Sequence, residues 1–216
     1  VQPSLGDPVT LSDSISLLAK KCAGGFFPGS FHENGGGFKE EGTFVAPSAY
    51  LGPNSEVCDE AQVLGNAEIS DNSFVHDAAI VADSVVTGES GVLDFATVSN
   101  GALIDGKSRV LNAAIVESAT VASYSQVVGL AEVFDNALVT ADSVIADSAT
   151  VFGDAVVDFG IVDGSAQVYG DAHVHSNGRV SGFATVHGSA KIYSGGSVAV
   201  SYTHLRAHET VVNLVC

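Results

Sequence analysis

The chain of 216 residues has no methionine and no tryptophan, 5 prolines, 3 cysteines and only 8 lysines and arginines. Against 25 acids, that shortage of bases leaves a formal charge of −17. Phosphate backbones and anionic membranes reward clustered Lys and Arg, so nucleic acid and membrane surfaces are not expected partners. No apolar run approaches the roughly 20 residues that cross a bilayer as a helix. Apolar residues are 46% of the chain, which excludes the aliphatic-poor composition of a disordered protein. Cys22, Cys58 and Cys216 are too few and too scattered for a disulfide framework or a zinc site, and the odd count leaves the redox compartment open. Beginning at Val1 without any Met, the chain is expected to lack an upstream region, so a missing secretory leader is uninformative.

What is present is a repeat. From Thr43 the chain falls into hexads with a small residue first and an aliphatic third, as in Ala61-Gln62-Val63-Leu64-Gly65-Asn66 and Ala67-Glu68-Ile69-Ser70-Asp71-Asn72. Counting places 27 hexads between 43 and 199, with one-residue shortenings after the hexads that begin at 91, 114 and 155. Thr87 is the one non-aliphatic third position, and Thr43 and Val85 are the two larger residues at the first. Small, exposed and aliphatic in turn describes a short strand with one face inward. Gly, Asp, Asn or Ser at the fifth position suits a corner with unusual backbone angles. Three strands and three corners close a triangular coil, and nine coils at about 4.8 Å each give a prism roughly 43 Å long. The prolines all lie at or before Pro53, clear of most of the ladder.

These hexads resemble the left-handed β-helix superfamily of hexapeptide-repeat proteins, of which the trimeric acyltransferases are members. The resemblance covers residues 43–199 and implies an all-β, single-stranded, left-handed triangular solenoid, an exception to the usual right-handed crossover. The stretch His32-Glu33-Asn34-Gly35-Gly36-Gly37-Phe38, with Tyr50-Leu51-Gly52-Pro53-Asn54, is similar to the entry into repeat tails of large secreted bacterial proteins. That narrower resemblance implies an extracellular or cell-surface location and no catalytic activity.

Residues 1–42 lack the repeat. Ser12-Asp13 ahead of Ile15, Leu17 and Leu18 reads as a capped short helix stopped by Gly24-Gly25. Phe26-Phe27-Pro28-Gly29 and the triple glycine read as a linker, either a connector or a cap on the first coil's open edge. At the other end, the register predicts aliphatics at 204 and 210, where His204 and Thr210 stand. Residues 200–210 resemble one reading frame of a transposase-type sequencing adapter, so 200–216 are expected to be a non-native tail.

The search for chemistry turns up few residues. His173 and His175 project from one strand beside Asp158, Lys191 and Tyr193, an arrangement able to hold a divalent metal if a third ligand is in reach. A solvated polar strand is the commoner meaning of such a pattern. The family's hydratases collect histidines from neighbouring coils, but His187 falls on another face and His76 is six coils away. The family's acyltransferases carry a catalytic His, extruded loops and a terminal helical region. This repeat has no inserted loop, which leaves His76 and His173 as the catalytic candidates at a subunit groove. Surface pattern gives more. Outward fourth positions stack Phe134, Phe152, Tyr169 and His187, and outward second positions of the next face carry Val86, Leu103, Leu138 and Val156 around Thr120. Ladders of this length read as contact surface, or as like residues stabilising a sheet. Thr97, Thr150 and Thr185 are interrupted by Ile115, Glu132 and Gln167, which spoils a flat ice-binding ladder. Corner acids Asp71, Asp77, Asp83, Asp135 and Asp147 offer oxygen to calcium, but the glycine-rich nonapeptide of calcium-binding rolls is missing. The expectation is therefore a structural, spacer or interaction module needing no cofactor. Its expected partner is protein, including itself as a trimer or face-to-face dimer.

Overall fold

The structure, a computed structural model, describes residues 19–22, 25–193, 195–200, 204–205 and 210–211. The expected short helix falls outside them. The described residues form strands and turns without a helix. Successive strands turn away from one another into three sheets of 12, 10 and 10 strands; from Phe38 onward each sheet receives every third strand of the chain and pairs it in parallel. Partners lie 18 residues apart in a full coil, as in Thr97↔Ile115, and 17 apart across a shortened one, as in Leu103↔Thr120. The result is a parallel β-solenoid of about nine coils.

The inside is a column of third-position aliphatics and small first-position residues. Val63, Ile69, Val75, Val139, Val151 and Val174 all have 0% exposure, as do Ala61, Ala131 and Ala155. Each buried Val contributes roughly 1.5–3 kcal/mol relative to exposure, and the small first residue leaves room for it in a narrow coil. The outward second residue takes no part in this, so its identity is free to vary.

Corners explain most of the acids. Asp59, Asp77, Asp94, Asn112 and Asp147 all sit near φ = +60°, a region that Asx residues tolerate best after glycine. Their side chains bond upward. Asp77 N–H donates to Asp59 Oδ2 at 3.2 Å, Asp94 N–H to Asp77 Oδ2 at 3.1 Å, and Asn112 N–H to Asp94 Oδ2 at 2.8 Å. Gly129 N–H continues the row to Asn112 Oδ1 at 3.2 Å. One residue type thus solves both the backbone angle and an orphan donor of the next coil.

The register differs from the sequence reading at one place. Val86 pairs with Ile69 and Ile104 and has 0% exposure, while Val85 pairs with Glu68 and Leu103 on the outer face. Val92 is likewise interior. The first shortening therefore follows Ala79, and the hexads begin at Ser84 and Ser90 rather than Val85 and Gly91. Val86 is not a surface residue; Val85 holds the outward place. With this correction Thr87 is an ordinary outward residue, and the two exceptions between 79 and 96 disappear.

The segment read as a linker is built of strands β1 (Ala19–Cys22), β2 (Gly25–Phe31) and β3 (Phe38–Glu40). β1 pairs antiparallel with β2, β2 antiparallel with β3, and β3 parallel with the strand Glu56–Val57. In a flat sheet, β1 would stand three strand spacings, about 14 Å, from that strand. Yet the Cα atoms of Cys22 and Cys58 are 6.0 Å apart and their sulfurs are bonded. The sheet edge therefore rolls back over its own outer face and encloses Phe38, which has 0% exposure. The loop before β3 closes on the neighbouring sheet: Leu51 N–H donates to Asn34 O, Gly37 N–H to Leu51 O, and His32 Nε2 lies 3.0 Å from Ala49 O. Gly35 has φ = +109°, and a Cβ there would collide with the Leu51 carbonyl.

At the far end, strand pairing continues beyond 199. The backbone at His204–Leu205 pairs with Thr185–Val186, and Thr210–Val211 with Lys191–Ile192. Leu205 and Val211, not the residues at 204 and 210, stand opposite the interior Val186 and Ile192.

Candidate functional site

Four groups of side chains stand out on the prism, and the sheets fix where each one lies. The first is the aromatic ladder. Phe134, Phe152 and Tyr169 end the strands Glu132–Phe134, Thr150–Phe152 and Gln167–Tyr169 of one sheet. Their ring centroids are 5.0 and 4.7 Å apart with planes within 12°. His187 extends the stack, 5.2 Å from Tyr169. The parallel register sets this spacing, because each ring repeats at one coil height.

The second is the apolar stripe on the adjacent sheet, where register places Val85, Leu103, Thr120, Leu138 and Val156 in line. All five are half-buried. His173 follows Val156, and Lys191 follows His173.

His173 belongs to the third group. Its ring is 4.7 Å from that of His175 in the strand His173–His175, and Asp158 stands beside His175 in the register. His175 Nδ1 lies 3.0 Å from Ser176 Oγ, and its ring stacks on Tyr193 at 5.4 Å. His173 Nε2 is buried without a hydrogen-bond partner. Burial, then the charge of a protonated His175, holds the His173 pKa below the ordinary imidazole value; Asp158 opposes this and Lys191 adds to it. A neutral imidazole is the consequence near pH 7, chemically a base or a hydrogen-bond partner. His173, His175 and Asp158 do not assemble into a three-donor cluster. Among the described residues the groupings tight enough for an ion lie elsewhere, at Cys22, Glu40 and Cys58 and at Glu56, Cys58 and His76.

That is the fourth group, beneath the rolled edge. His76 is 6% exposed, its ring 4.9 Å from Phe74 and its Nε2 3.3 Å from Glu56 Oε1. The angles at that contact do not make a hydrogen bond, so Nε2 is also unpartnered. Arg109 packs its guanidinium 4.8 Å from the Phe74 ring centre on the far side. His76 and His173 occupy different sheets, so the two catalytic candidates do not meet.

Three cysteines make no disulfide framework, but Cys22 and Cys58 form one disulfide. Cys58 is an outward fourth-position residue with 0% exposure because the rolled edge covers it. Repeat spacing gives no distance to Cys22, which lies outside the repeat. Concave spaces lie both at this end and further along the prism. One of about 490 Å³ is lined by Ser30, Phe31, His32, Glu33, Lys39, Val45 and Pro47. A second, of about 330 Å³, lies along a corner between Phe95 and Leu130. His173 lines neither.

Compared with protein-family models and with curated proteins, the chain matches none.

Proposed function

We propose that this chain is a non-catalytic structural or protein-interaction module, a left-handed hexapeptide-type β-helix belonging to a larger secreted or surface bacterial protein. Its working parts are flat outer faces. The observation that carries this reading is the aromatic ladder Phe134–Phe152–Tyr169–His187, which shares the prism with the apolar stripe from Val85 to Val156. Rows of half-buried apolar side chains on an outer face support a contact between proteins. The partner is protein, a second copy included, in a trimer or a face-to-face dimer. Light scattering across a concentration series is the test. Association that Phe152→Asp or Leu138→Asp abolishes, with the fold retained, is the expected result.

A second reading has one observation in its favour. The unpartnered, neutral imidazole of His173 lies at the end of the apolar stripe, where a neighbouring subunit of a trimer would form a groove. In that reading the chain is an acyltransferase, or behind it a metal-dependent hydratase. Turnover of acetyl-coenzyme A or carbon dioxide that His173→Ala removes would overturn the structural reading.

A further inference from the structure

The group under the rolled edge does something that a stabilising disulfide alone does not require. Two triads share Cys58: Cys22 with Glu40, and Glu56 with His76, the donor atoms within each lying no more than 4.8 Å apart. Two sulfurs, an imidazole and a carboxylate are the donor set of a tetrahedral zinc site. His76 reinforces this, because its buried Nε2 has no hydrogen-bond partner although the ring is almost fully enclosed. A buried nitrogen without a hydrogen bond, within 4.8 Å of the Cys58 sulfur and a Glu56 oxygen, is more easily explained by a shared cation than by packing. Of the two acids, Glu40 already accepts from Asp59 N–H at 2.9 Å, which leaves Glu56 as the oxygen donor.

We propose that the rolled edge is a redox-gated zinc site: closed as the Cys22–Cys58 disulfide, and on reduction able to bind Zn²⁺ through Cys22, Cys58, His76 and Glu56. Bonded sulfurs sit too close together to ligate one ion, whereas a tetrahedral ion with Zn–S bonds of about 2.3 Å holds them about 3.7 Å apart. The exchange balances simply. A dithiol passes two electrons and two protons to the disulfide and is left as its own disulfide. Both cysteine thiols then lose their protons to solvent as they bind the metal. In either state the edge stays clasped to the strand Glu56–Val57, by a covalent bond or by an ion. The inference is independent of the interaction-module reading, since it concerns neither the ladder nor the stripe.

The test uses the full chain with Cys216→Ser, so that the remaining thiols are Cys22 and Cys58. Zn²⁺, and Co²⁺ as its spectroscopic stand-in, are titrated into the protein with and without a phosphine reductant. The expected result is one tightly bound ion per reduced chain, thiolate-to-cobalt charge-transfer bands, and no comparable binding to the oxidised chain. His76→Ala is expected to weaken binding by more than about 100-fold, beyond the 10–100-fold typical of groups that only support a ligand. Glu56→Gln, nearly isosteric, keeps the test decisive if His76→Ala misfolds; it is expected to weaken binding by at least about 10-fold. The proposal is overturned by equal binding to oxidised and reduced protein, by no binding to the reduced protein, or by binding indifferent to both substitutions.

Discussion

Val85 and Val86 are adjacent, identical in composition and opposite in fate, so the same substitution at each reads the register directly. Val86→Asp puts a carboxylate into the dry interior between Ile69 and Ile104. Burial there raises an acid's pKa by 3–5 units, and at about 1.36 kcal/mol per unit the ionised form costs roughly 4–7 kcal/mol at neutral pH. Loss of the buried Val adds roughly 1.5 kcal/mol or more. Together these approach the whole stability of an ordinary domain, about 5–15 kcal/mol. Val85→Asp instead stands on the outer face between Glu68 and Leu103, where a like-charge neighbour costs below about 1 kcal/mol. Urea unfolding followed by far-ultraviolet circular dichroism should show a collapse in midpoint for the first variant and a small change for the second. The pH dependence is a second check. The folded pKa is raised, so the charge penalty is absent below the unfolded value of about 3.9, grows through the interval up to the folded pKa and is constant above it. A damaging Val85→Asp beside a tolerated Val86→Asp would refute the register and restore the hexad beginning at Val85.

Two further outcomes are expected. Phe152→Ala removes a ring stacked on both neighbours, and at about 0.5–1.5 kcal/mol per aromatic pair should lower stability by about 1–3 kcal/mol; a chemical melt within error of the unchanged chain would show that the ladder adds nothing to the fold. His173 has a folded pKa below the unfolded one, so the unfolded chain binds more protons and stability falls as pH drops through about 6.5. Melting temperature measured from pH 8 to pH 5 should decline, and His173→Gln should flatten part of that slope; an unchanged slope would assign the decline to other groups.

Most of the solenoid is legible in the sequence because its rule is local: a small residue, a free residue and an aliphatic residue, then a corner. The position of the first shortening is not, since Val85-Val86 and Val92-Leu93 each offer two aliphatics in a row and alternation cannot choose between them. The tell lies in Val85 and Thr87, two misfits in one hexad that a shift of one residue removes together. Residues outside the repeat have no such internal ruler. Phe26, Phe27 and Pro28 carry turn-rich flanks that mimic a linker, and only pairing across β2 shows them as strand. The ladder of Phe134, Phe152 and Tyr169 was readable, because coil height turns sequence distance into spatial distance. The same rule puts Cys58 beside His76, one coil on, but Cys22 lies outside the repeat and reaches Cys58 only once the edge has curled.

That curl works like a hem on woven cloth. A parallel solenoid has no intrinsic length: each coil presents the same three rows of donors and acceptors that the previous one used, and another copy's coil would fit them as well as its own. At the hemmed end, one of the three rows is turned outward and stitched to the cloth behind it by Cys22 and Cys58. A second molecule approaching along the axis would find that row folded away, and the loop through Asn34 and Gly37 already occupying part of the next. One end of the prism is thus blunted by a single fold of its border, and cutting the stitch would be the way to bare that row again.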